Sequence, residues 1–118
     1  MKHIYSMQRA DGAVKVGISD NPRSRRTSVA AASGQTVTVE HTTELRSDAL
    51  DVESVAHRLL KVKHQHGEWF SSTVEEAVDA INLAIDIVEG RAPNTVSDVW
   101  FCRRKGSVDQ KTERLNIT

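Results

Sequence analysis

Four side chains in the first 53 residues raise the question of chemistry: Tyr5, Lys15, Arg25 and Glu53. Tyr5 lies in a strand-like stretch, IYSMQ. Lys15 follows ten residues later in AVKVGIS, where Val14, Val16 and Ile18 alternate with Lys15, Gly17 and Ser19. A hairpin with one buried face needs neither a phenol nor an ammonium. Arg25 shares a helical stripe with Pro22, Val29 and Ala32, and Glu53 falls at the margin of an apolar helix face, where a carboxylate is partly sheltered. Together these groups suit an anionic substrate, because the guanidinium fork matches phosphate and a lone carboxylate can hold a hard cation. The plainer alternative is a half-buried strand tyrosine and an exposed strand lysine with no chemistry.

The elements that must position these groups follow from the pattern around them. Ile4 to Gln8 and Ala13 to Ser19 read as two strands joined by an Asp11-Gly12 turn. In SDNPRSRRTSVAAASG, Asp20 or Asn21 can cap a helix that starts at Pro22 and closes at Gly34. VTVEHTTEL, residues 37 to 45, is rich in β-branched residues and reads as a third strand. A second helix is expected from Ser47 or Asp48 to about Val62, with Val52, Val55, Ala56, Leu59 and Leu60 on its apolar face. A third begins at a capping box read as Ser72 to Glu75, carries its stripe through Val74, Ala77, Val78, Ile81, Ala84, Ile85 and Val88, and ends at Gly90. The expected class is α+β, a small three-stranded sheet with flanking helices in the order β-β-α-β-α-α. One domain over residues 1–92 precedes a tail, 93–118, read as an added strand or a flexible arm.

Composition narrows the function classes. The 118 residues are 38% apolar and 27% charged, a balance suited to one core-forming globular domain. No run approaches the roughly 20 apolar residues of a membrane span, and no signal peptide is legible, so membrane partners are not expected. Cys102 is the only cysteine, which excludes an internal disulfide and fits a reducing, cytoplasmic setting. The net charge of zero conceals a basic first third and a basic tail. Lys2, Arg9, Lys15, Arg23, Arg25 and Arg26 face two acids in residues 1–34, and Arg103, Arg104 and Lys105 cluster near the end. Two such zones can frame a nucleic-acid backbone, or they can be ordinary solvated surface.

HIYSM, KVGIS, the helices NPRSRR and VESVAHRLL, and GEWF, taken in order, resemble the GIY-YIG endonuclease superfamily over residues 3 to about 88. The resemblance is to its small phage and bacterial branch, where a KIG-like tripeptide replaces YIG and GEWF precedes the last helix. It implies the same β-β-α-β-α-α order and hydrolysis of DNA phosphodiesters with one divalent cation, Mg²⁺ or Mn²⁺. His3-Ile4-Tyr5 then stands for the first motif and Lys15-Val16-Gly17 for the second. Arg25 becomes the phosphate-binding arginine and Glu53 the metal ligand. Lys15 occupies the place of the eponymous second tyrosine. With an ordinary phenol pKa near 10, Tyr5 needs help to act as general base, and an ammonium close by supplies it.

Supporting positions are expected at His57, one turn beyond Glu53, and at Gly17. Arg23, Arg26, Arg103, Arg104 and Lys105 are the expected nucleic-acid contacts, with Trp100 and Phe101 as a stacking surface in the tail. His64 and His66 mimic a metal spacing without the further ligands of a zinc site. Trp69 and Phe70 are expected to anchor the turn into the last helix, and Cys102 to be inert. DNA is the expected partner, with RNA also open. With Tyr5 near the first residue and only 25 residues from Asn94 onward, no separate DNA-reading domain is expected. Target choice would then come from DNA structure, the tail, a homo-oligomer or a partner protein. The alternatives are a non-catalytic nucleic-acid-binding module on the same fold and an interaction protein without a nucleic-acid role.

Overall fold

The computed structural model describes residues 1–66 and 69–93. Its elements are β1 (His3–Arg9), β2 (Val14–Ser19), α1 (Pro22–Ser33), β3 (Val37–Thr42), α2 (Ala49–Leu59), β4 (His64–His66), β5 (Trp69–Phe70) and α3 (Val74–Val88). A single 3-10 turn, Lys61–Lys63, leads from α2 into β4. The sheet is antiparallel, in the order β3-β1-β2-β5-β4. The α+β class stands, but among the described residues the sheet has five strands rather than three. β4 and β5 are three and two residues long, too short for a period-2 pattern to announce them.

Alternation sorts the strand residues into two layers. Ile4, Val14 and Val16 join Phe70 in a core closed by Val52, Ala56 and Leu59 of α2 and by Ala77, Ile81 and Ala84 of α3. The opposite face holds Tyr5 and Met7 under Val29 of α1, with Val37 beside them. The molecule is therefore α1 on one side of the sheet and α2 with α3 on the other. Ser6 is also fully buried, and its hydroxyl makes no hydrogen bond among the described residues; nothing around it explains a serine there.

Helix ends follow local chemistry. Asn21 caps α1 by accepting from Ser24 N–H at 3.2 Å, Pro22 opens it, and Gly34 at φ 72° closes it in the left-handed region. The buried stripe of α1 is rotated from the expected one. Val29 is buried and Pro22, Arg26, Ala30 and Ser33 are half-buried, whereas Arg25 and Ala32 are exposed. With one large apolar residue and three consecutive alanines, the helix carries too little pattern to fix its own rotation. The α3 capping box is Thr73 with Glu76, one residue later than expected.

Asp48 precedes α2 without capping it, because its carboxylate is taken by Arg46 at 2.7 and 3.0 Å. Arg46 also pairs with Glu89 beyond the end of α3, and Arg91 joins Glu89 to Asp86. Hydrogen bonds from Arg46 hold Asp48 below the usual carboxylate range; those from Arg46 and then Arg91 do the same for Glu89. A depressed native pKa means stability that is present above the unfolded value, roughly 4, and lost as pH falls through the native one. Arg46→Ala should therefore melt earlier than the parent at pH 7, with the gap closing below about pH 4. A gap of equal size at pH 3 would show that Arg46 acts through packing instead.

Candidate functional site

Tyr5 and Gly17 are cross-strand partners, and Lys15 is paired with Met7. Tyr5, Lys15 and Gly17 thus share the sheet face under α1, with Tyr5 and Lys15 as diagonal neighbours, an arrangement that separates Cα atoms by about 7–8 Å. The tyrosine ring lies directly over Gly17. A Cβ built on Gly17 would fall 2.4 Å from Tyr5 Oη and 2.7 Å from Cζ, far inside van der Waals contact. Positive φ occurs at Gly12, Gly34 and Gly90 but not here, so Gly17 is glycine for space, not for backbone conformation. Tyr5 is 1% and Lys15 7% exposed. Lysine is among the residues least often buried, so the exposed strand lysine of the plainer reading is not what the fold contains.

Arg25 projects from the exposed side of α1 and lines, with Lys15, a groove of about 480 Å³ between α1 and the β2–β5 part of the sheet. Arg9, Ser28, Ser33 and Trp69 line the same groove. Sequence reasoning counted Arg9 in the basic first third but not among the site residues, although its parity with Tyr5 along β1 was a signal. The Arg9 guanidinium stacks 4.4 Å from the Trp69 ring centroid and is held edge-on by Asp11 at 2.9 Å through two hydrogen bonds. The Arg9 hydrogen bonds, followed by one from Ala13 N–H, lower the Asp11 pKa to about 2. Lys15 Nζ lies 5.9 Å from the same indole centroid.

The other expected cations are distributed differently. Arg23 and Arg26 line a second groove, on the β3 side of α1, where Arg26 Nη1 also donates to the Val37 carbonyl at 3.4 Å. Glu53 is half-buried on α2, the helix that packs on the sheet face opposite Tyr5. β5 pairs with β2 only at Val14 and Lys15, which leaves the edge of β2 from Val16 to Ser19 without a strand partner on that side among the described residues. His57, one turn beyond Glu53, marks that edge: its Nε2 donates to the Val16 carbonyl at 2.7 Å, and its ring packs against Phe70 at 5.3 Å between centroids. A carbonyl only accepts, so Nε2 carries the proton. His57 therefore ties α2 to the strand residue beside Gly17.

Among the described residues no three His, Cys, Asp or Glu side chains come close enough to hold a metal between them. His64 instead sets its ring edge against Phe70, 5.8 Å between centroids. A single carboxylate fits an ion that takes its remaining oxygens from water and substrate, as Mg²⁺ commonly does. Arg103, Arg104, Lys105, Trp100, Phe101 and Cys102 lie outside the described residues, as does Glu68.

Residues 2–85, from the start of β1 into α3, match the T5orf172 domain. The chain belongs to the T5orf172 domain family. The T5orf172 domain is phage-associated and nuclease-like, and the match contains every candidate position from Tyr5 to Glu53 while leaving out the tail. No curated protein and no solved structure matches the chain. No helix among the described residues of this T5orf172 domain is long and apolar enough to cross a membrane.

Proposed function

We propose that this T5orf172 domain is a divalent-metal-dependent DNA endonuclease of the GIY-YIG type. The observation that carries the reading is the burial of Tyr5 and Lys15 together on one sheet face, over a glycine with no room for a side chain. A structural hairpin gains nothing from that combination, whereas a site for phosphodiester hydrolysis needs a proton acceptor and fixed positive charge. Tyr5 Oη takes the proton of the attacking water. The Lys15 ammonium favours the phenolate form in which Tyr5 accepts that proton, and the transfer leaves a neutral phenol. Arg25, at the mouth of the groove, grips non-bridging oxygens of the scissile phosphate with its planar fork. Glu53 would hold the cation through its single carboxylate, and His57 ties α2 to Val16 of β2. The chemistry a divalent cation would supply there, when bound, is neutralisation of phosphate charge and stabilisation of the leaving oxygen.

The test is incubation of the full chain with plasmid, branched DNA and RNA, in Mg²⁺, Mn²⁺ or chelator. Metal-dependent DNA cleavage is expected, and Glu53→Gln, which removes the charge and keeps the size of the side chain, should abolish it with the fold intact in a thermal melt. Undiminished cutting by Glu53→Gln would remove Glu53 from the mechanism. Tight DNA binding without cleavage in any metal would instead favour the non-catalytic module, for which the lysine in place of the second tyrosine is the motivating observation.

A further inference from the structure

The groove that holds Lys15 and Arg25 continues past them. Arg9 is four residues from Tyr5 on the same face of β1, which places it about 13 Å along the strand. A phosphate held at Tyr5 and Arg25 is therefore not the one Arg9 meets. Arg9 is nonetheless fixed in direction, stacked on Trp69 and clamped by Asp11. Ser28 and Ser33 line the opposite wall from α1, their hydroxyls donating to the Arg25 and Ala30 carbonyls at 3.0 and 3.2 Å. Three cations face this groove, and Asp11 behind Arg9 offsets one of them. A volume of about 480 Å³ suits a body of nucleotide size.

We infer that this groove is a subsite for a single DNA strand beside the scissile phosphate, with Arg9 holding a neighbouring phosphodiester against the Trp69 wall. The chemistry is that of sequence-tolerant strand binders, which combine backbone-tracking cations with an aromatic surface. It makes the preferred substrate a DNA with an unpaired strand next to the cut, not an uninterrupted duplex. The inference rests on the nuclease reading for its orientation, but its test reads binding alone and so fails or stands separately.

Binding of a fluorescein-labelled single-stranded oligonucleotide is measured in chelator at several salt concentrations, with a duplex of the same sequence alongside. Arg9→Gln should weaken single-strand binding and flatten the log-log salt slope by about 0.7, the value of one lost contact on a single strand. Because Arg9 also packs on Trp69, the exposed Ser28→Glu serves as a second variant; it places a negative charge in the groove and should weaken binding with an unchanged melting temperature. Lys2→Gln removes an exposed charge elsewhere and should leave binding nearly unaltered. Unchanged affinity and slope in both groove variants, losses confined to the duplex, or an equal loss in Lys2→Gln would each overturn the assignment. If binding responds as expected but no metal supports cleavage by the parent, the groove stands and the nuclease reading falls.

Discussion

Gly17→Ala should cost about 1–3 kcal/mol of stability, the usual range for forcing extra volume into a packed site, and should cut cleavage sharply as well. The new methyl meets both Oη and Cζ of Tyr5, so the ring cannot escape by rotating its hydroxyl. It must shift towards α1, where Met7, Val29 and Val37 already close the space around it. Under the proposed mechanism, a displaced phenol would no longer meet the attacking water. Thermal melts and initial cleavage rates report the two consequences separately. Combining Gly17→Ala with Tyr5→Phe should relieve only the Oη part of the clash, so the two losses of stability should not add. A Gly17→Ala protein that melts and cuts like the parent would mean that Tyr5 has freedom to move and that the close approach is incidental.

Tyr5→Phe should leave the fold in place and slow cleavage by roughly 10²–10⁴-fold, the span associated with losing a positioned general base. The ring still fills its place over Gly17 and under α1, so the change is confined to one oxygen. DNA binding in chelator should be retained, because Arg25 and the groove are untouched. The deciding comparison is cleavage rate against binding affinity for the same substrate. A rate equal to that of the parent would assign proton abstraction to another group, while equal losses of both would make Tyr5 a structural residue of the interface.

Local pattern carried much of this protein. The hairpin, with Val14, Val16 and Ile18 facing the core, was set by period-2 alternation. The long α3 stripe was set by seven apolar positions at helical spacing, most of them buried or half-buried in the fold. Asn21, Pro22 and Gly34 bounded α1 because capping is decided within a few residues of the helix end. These features depend on neighbours close in sequence, which is why they could be read.

What remained undecided depends on contacts between distant segments. β5 exists because Trp69 and Phe70 find Lys15 and Val14, more than fifty residues away, not because two residues can declare a strand. Arg23 and Arg25 parted to different grooves only when Val29 and Ala30 settled on the sheet, since α1 alone could have turned several ways. Asp48 looked like a cap until Arg46 claimed its carboxylate. Arg9 became part of a groove when Trp69 arrived beside it. Sequence determined the chemical inventory and the faces of the strands, because both are local. The fold alone decided that Lys15 is buried beside Tyr5 and that Gly17 leaves the ring its space, because burial and close approach are properties of surfaces brought together from separate parts of the chain.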